Sequence, residues 1–181
     1  MIVLLSPSRI LLAAFACIIF SASAHAQTEF LFMINDKTGH ADTLRWGIFP
    51  DATNGRDAAY GEVEFPPPPP TFLFDARWVG AKEFGEGIRR NYRGPSNALD
   101  TFVLKVQPNE GGYPVTLSWP DLAGEFQSAS LRFVSTEGAI MTADMLEKRT
   151  VDIANAEPVS LVTIIVQRSS AMTGEAQRRK K

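Results

Sequence analysis

The chain has 181 residues, 45% of them hydrophobic, with 18 Lys plus Arg against 20 Asp plus Glu and a net charge of −2. So balanced a charge provides no electrostatic footprint for a nucleic-acid partner, and one cysteine with two histidines leaves little for a thiolate or imidazole metal site. The length suits a single domain with a sizeable core.

The first 26 residues, "MIVLLSPSRILLAAFACIIFSASAHA", are apolar almost throughout and carry one positive charge, at Arg9. The stretch from Ile10 to Phe20 has the length of a signal-peptide core and is short for a membrane span. Ala24-His25-Ala26 forms a small-x-small cleavage pattern, so residues 1–26 read as a signal peptide and the mature chain starts at Gln27. Cys17 lies inside the apolar stretch behind the bulky Phe15, which argues against lipid attachment. The expectation is an exported protein (extracellular, cell-surface or periplasmic) with no membrane span after cleavage. Without Cys17 no disulfide can form, and packing must supply the stability.

Short apolar runs separated by turn residues follow: 28–34, 43–49, 71–79, 101–107, 113–119, 129–135, 149–154 and 159–167. Most alternate in part and carry β-branched or aromatic residues, as half-buried strands do. Phe102, Leu104 and Val106 share one face of the fourth run, and Val115, Leu117 and Trp119 share one face of the fifth. Gly111-Gly112 between them predicts a hairpin. "GAKEFGEGIRRNYRG" (80–94) is rich in glycine and reads as a long excursion between strands. "MTADMLEKR" (141–149) admits a helical turn or two, while its flanks favour a strand or loop. Residues 168–181, ending in "RRKK", lack an apolar pattern and read as a disordered basic tail.

Pro66, Pro67, Pro68, Pro69 and Pro70 interrupt this pattern. Proline has no backbone donor, so the run is excluded from a sheet centre. As polyproline II it spans about 15 Å. The segment from Gln27 to Phe65 holds only 39 residues, too few for an independent domain before a hinge. The run therefore reads as a strap within one domain, with Phe72, Phe74 and Trp78 as anchoring rings behind it.

Catalytic machinery is not expected. His40 is the only histidine after residue 26, and no serine stands in a nucleophile-elbow pattern. "DATNGRDAAYGE" (51–62) places Asp51, Thr53, Gly55, Asp57 and Glu62 at positions 1, 3, 5, 7 and 12, a spacing that calcium loops use. Arg56 stands where such loops need glycine, and the same residues also suit turn capping. Tyr92, between Arg90 and Arg93 in the glycine-rich excursion, is the candidate for an exposed ring flanked by guanidinium groups, a combination suited to anionic glycans. The alternative is that these arginines cover apolar surface.

The succession "LRWGIFPDATNGRDAAYGEVEFPPPPPTFLFDARW", then "GEGIRRNYR" (85–93) and "GGYPVTLSW" (111–119), resembles a module of secreted Bacteroidota-type proteins. That module commonly precedes a C-terminal type IX secretion sorting domain, which this chain is not expected to contain. The resemblance spans most of residues 30–167 and implies a β-rich fold without catalytic residues. Together these readings predict an all-β protein. Residues 27–167 would form one Ig-like or related β-sandwich with Greek-key connections, crossed or edged by the polyproline strap. The expected function is that of a secreted, non-enzymatic structural, adhesive or matrix-associated module whose partner is an extracellular protein or polysaccharide. The alternative is a carbohydrate-binding module using loop aromatics and arginines, stabilised by calcium.

Overall fold

The computed structural model describes residues 27–80, 82–95, 98–134, 138–154 and 160–168. Residues 1–26, the expected signal peptide, and residues 169–181 of the expected basic tail lie outside the described residues. Ten strands form: β1 (Thr28–Asp36), β2 (Ala41–Ile48), β3 (Asp75–Val79), β4 (Arg90–Arg93), β5 (Leu99–Gln107), β6 (Val115–Ser118), β7 (Phe126–Val134), β8 (Ile140–Asp144), β9 (Thr150–Ile153) and β10 (Ser160–Arg168). They make two five-stranded sheets, ordered β4-β2-β1-β6-β9 and β3-β5-β10-β7-β8. All pairs are antiparallel except β2–β4, which is parallel. No helix among the described residues is long and apolar enough to cross a membrane.

Alternation explains why the strands pack as two layers. Phe30, Phe32 and Ile34 of β1 are buried, while Glu29, Leu31 and Met33 between them face outward. Phe102, Leu104 and Val106 of β5 and Val162, Ile164 and Val166 of β10 form the opposing wall. Aromatic rings join the layers. Trp46 of β2 stacks on Phe126 of β7 at 5.8 Å and meets Phe102 edge-on at 5.0 Å, and Phe32 of β1 meets Trp78 of β3 edge-on at 6.0 Å. Trp46, Trp78 and Trp119 are all buried.

All eight predicted runs contain a strand, but the predicted hairpin does not exist. β5 lies between β3 and β10, whereas β6 lies between β1 and β9 in the other sheet. Both strands do bury the expected residues. Burial of one face is satisfied equally by neighbours in one sheet and by strands facing each other across the core, so alternation did not distinguish the two. The Gly111-Gly112 turn instead carries the chain from one sheet to the other, and the Gly112 carbonyl accepts from Lys37 N at 2.8 Å. Two strands, β4 and β8, lie outside the predicted apolar runs, although the flanks of 141–149 favoured a strand or loop where β8 forms. β4 buries Asn91, Tyr92 and Arg93, and the first three residues of β8 are exposed. The last strand also runs one residue past 167, to the buried Arg168.

Candidate functional site

The residues singled out by sequence gather at the β3–β4 flank, where the chain between Phe49 and Arg89 is mostly irregular. Irregular buried backbone needs hydrogen-bond partners that a ladder would otherwise provide. In the 51–62 loop, Thr53 N and Oγ1 donate to the Asp57 carboxylate, the former at 2.7 Å, and Gly55 N donates to Thr53 Oγ1 at 3.0 Å. Glu62 is buried and accepts Asp57 N at 2.5 Å and Tyr92 N at 2.6 Å. Burial raises its pKa, the two backbone bonds oppose that, and the neighbouring Asp57 charge adds to it.

The calcium arrangement is thus replaced by turn capping. Asp57 serves Thr53, and Glu62 turns away to serve the edge of β4. Among the described residues, no three His, Cys, Asp or Glu side chains gather to hold a metal ion.

Tyr92 is corrected as well. It is only 1% exposed, lies against Phe49 with ring centroids 4.0 Å apart, and donates its hydroxyl to Glu29 Oε2 at 2.6 Å. Burial pushes its pKa above the ordinary value, and the Glu29 carboxylate reinforces the shift. The ring is buried because β4 joins β2 as a strand instead of forming a free loop, pairing Tyr92 with Gly47. Arg93 is buried too, with its guanidinium over the rings of Phe102 and Phe84 at 5.1 and 5.7 Å. Its Nη1 donates to Asn91 Oδ1 and the Tyr92 carbonyl. Burial lowers its pKa, against the pull of Asp100, Glu62 and Asp57. Of the expected ligand-binding trio, only Arg90 is exposed.

The proline run lies along β3 and the end of β5. Arg77, buried in β3, donates Nη1 to the carbonyls of Pro66 and Glu86 at 2.8 and 3.0 Å, while Nε and Nη2 form a fork onto Asp75 at 2.6 Å each. Gln107 Nε2 reaches the carbonyls of Pro70 at 2.9 Å and Leu73 at 2.6 Å. Proline carbonyls remain good acceptors, and two polar side chains hold the ends of the run. Aromatic anchoring is only partly met. Trp78 is buried, Phe74 is half-buried against the core, and Phe72 is 56% exposed. Gly87, at φ +124°, lets the 86–88 loop approach β3 closely, since a Cβ there would lie 2.6 Å from Arg77 Cδ.

Sequence reasoning missed Arg77, Gln107, Asp100 and Arg168. The signal for Arg77 was available: Asp75 and Arg77 are two apart in a strand and so share a face. Asp100 and Arg168 form a buried ion pair between β5 and β10, and Arg168 Nη2 also donates to the Gly94 carbonyl at 2.6 Å. Arg168 Nε and Nη1, together with Asn91 Nδ2, are buried without hydrogen-bond partners.

Among the described residues, clefts open at two places relevant to binding. One, of about 360 Å³, lies between Asn54, Arg93, Asp100, Thr101 and Val103. The other, of about 410 Å³, is lined by Phe72, Pro108, Asn109, Glu110 and Tyr113. Neither contains a histidine. His40 caps a turn: its Nδ1 lies 2.9 Å from Thr38 Oγ1, and that hydroxyl donates to Asp36 Oδ1 at 2.8 Å. The first cleft offers ion-pair and hydrogen-bond recognition, and the second offers ring contact. No family model matches the chain, and no curated protein or solved structure matches it.

Proposed function

We propose that this chain is an exported, non-enzymatic β-sandwich module with a structural or adhesive role outside the cytoplasm. One observation carries the reading: the charged and aromatic side chains with chemical potential are engaged inside the fold, holding backbone groups and one another. Glu62, Tyr92, Arg77 and the Asp100–Arg168 pair are all buried and hydrogen-bonded. The N-terminal signal sequence and the similarity to secreted Bacteroidota-type modules support the location. Neighbouring of β1 with β6 and of β5 with β10, far apart in sequence, agrees with Greek-key connections in an Ig-like sandwich. In this reading Pro66–Pro70 is a strap across β3 and β5, pinned by Arg77 at one end and Gln107 at the other.

The second reading, sugar binding, is favoured by the exposed Phe72 beside Tyr113 in the larger cleft. One set of measurements separates the two: thermal melting of the chain from Gln27 onward with calcium, with chelator and with neutral and acidic soluble glycans, alongside ester and glycoside turnover assays. The structural reading expects no turnover and an unchanged melting temperature. Turnover by the purified chain would overturn it. A saturable rise with one glycan class, lost in Phe72→Ala, would install the second reading.

A further inference from the structure

We propose that β8 is an open docking edge for a second copy of this chain, the two β8 strands pairing antiparallel about a two-fold axis through Thr142. The inference goes beyond the structural reading above and rests on the backbone geometry and side-chain exposure of this edge.

Two sheets have four edge strands, and three are protected. The outward backbone of β3 is taken by Ile88, with Trp78 N to Ile88 O at 2.8 Å and Ile88 N to Trp78 O at 2.9 Å. On β4, Glu62 accepts Tyr92 N. β9 is four residues long and carries the charged Asp152. β8 carries a charge only at its last residue, Asp144, and no side chain or loop among the described residues takes the outward groups of Ile140 and Thr142. From Gly138 to Ala143 there is no charge, and Ile140 and Met141 are 72% and 47% exposed, beside Val134 of β7 at 57%.

The ladder fixes which groups are free. Met145 N donates to Ala129 O at 2.8 Å, so Ala143 opposite Leu131 and Met141 opposite Phe133 are the hydrogen-bonded pairs. Ile140, Thr142 and Asp144 therefore direct their N–H and C=O groups away from β7. The Asp144 carbonyl is occupied by Lys148 N at 3.1 Å. The other outward groups have no backbone partner among the described residues. A two-fold through Thr142 brings this set into register with itself. The two Thr142 residues exchange both backbone bonds, and each Asp144 N–H meets the Ile140 carbonyl of the other copy. Charge is compatible with this register and excludes one centred on Asp144. Asp144 then faces Ile140, whereas a two-fold through Asp144 would oppose two carboxylates. An isologous contact of this kind closes as a dimer, and the sheet becomes ten-stranded by strand addition. Five-residue edge pairing buries less than the roughly 1,200 Å² typical of stable complexes, so the association is reversible and concentration-dependent.

The test uses Thr142→Cys in the chain from Gln27 onward, which lacks other cysteines. Hydrogen-bonded antiparallel partners have Cα atoms about 5.5 Å apart, within disulfide reach. Mild oxidation is expected to give a disulfide-linked dimer, while Thr150→Cys on β9 stays monomeric. Sedimentation of the unmodified chain is expected to show a monomer–dimer equilibrium that Thr142→Pro shifts to monomer, with folding checked by tryptophan fluorescence. Monomer at every concentration, equal cross-linking at residue 150, or dimerisation surviving Thr142→Pro would each overturn the proposal.

Discussion

At the β3–β4 flank, charged side chains are drawn into the protein to serve backbone groups, whereas at the β8 flank the backbone itself faces solvent. The first flank is built from irregular chain between Phe49 and Arg89, whose carbonyls and amides have few ladder partners. Arg77, Glu62 and Gln107 supply them, and each is buried in doing so. The second flank is regular chain whose inward groups pair with β7, so it requires no such help. Polar residues are thus concentrated where secondary structure is poorest, and an edge is left open where it is best. If this division holds, substitutions at the first flank act on stability and those at the second on association.

The largest effect is expected inside the closed flank. Asp100→Ala leaves the buried Arg168 guanidinium without its carboxylate, a loss of about 3–5 kcal/mol. Asp100→Leu combined with Arg168→Leu should recover part of that, because the Arg168 charge is removed with its partner while the buried Arg93 still loses the pull of Asp100. Urea unfolding of the single and double variants checks both. A double variant less stable than the single would break the view that the pair matters through charge compensation.

Glu62→Gln comes next. The carboxylate accepts from two backbone amides, and an amide side chain offers only one acceptor oxygen, so one buried N–H loses its partner. The expected loss is about 1–3 kcal/mol, read in the same unfolding assay. Equal stability of the variant would mean that the edge of β4 needs no cap.

How far the sequence reveals this division follows from what each flank uses. The β1, β5 and β10 patterns are legible because a strand with one buried face has to alternate. Strand pairing was not legible between β5 and β6, since the same alternation serves one sheet or two facing sheets. β4 escaped because its inward residues are polar, and β8 because its exposed residues include both apolar and polar types. At the site, residue types were legible but their direction was not. The Asp57 and Glu62 spacing fits a cation loop, yet Glu62 is spent on the Asp57 and Tyr92 amides. The decisive partners, such as Glu29 for Tyr92 and Gln107 for Pro70, are more than thirty residues away.

The pH dependence should distinguish two carboxylates with opposite shifts. Desolvation pushes Asp36 upward, but hydrogen bonds from Thr38, Asn109 and His40 outweigh it and hold the carboxyl below its ordinary 3.8. Its contribution to stability is present above pH 3.8 and is lost as the pH falls through the depressed folded value. Burial raises Glu62 above 4.5 despite its backbone bonds. Its contribution is present below pH 4.5 and is lost as the pH rises through the elevated folded value. Asp36→Asn should therefore flatten the acid limb of stability against pH, and Glu62→Gln should flatten the limb above 4.5. Unfolding curves taken across both limbs check the signs, and identical profiles for the two variants would refute them.

The smallest effect is expected at the open flank, and its smallness is the informative part. Proline in a strand normally removes a ladder bond and is excluded from sheet interiors. Thr142 directs its N–H away from β7, so Thr142→Pro deletes no bond within the protomer. Its stability should stay within about 0.5 kcal/mol of the parent, as for surface changes remote from special features. Ala143→Pro, one residue along, removes an N–H that pairs with Leu131 and places the ring against a buried position. Thermal melting at low protein concentration, where only monomer is present, should show Ala143→Pro strongly destabilised and Thr142→Pro unchanged. If instead Thr142→Pro unfolds and Ala143→Pro is tolerated, the hydrogen-bond parity assigned to β8 is reversed, and the free edge belongs to Met141 and Ala143. If Thr142→Pro alone is tolerated, the bare edge contributes nothing to the fold of the monomer, and its exposed backbone and apolar side chains remain available for association.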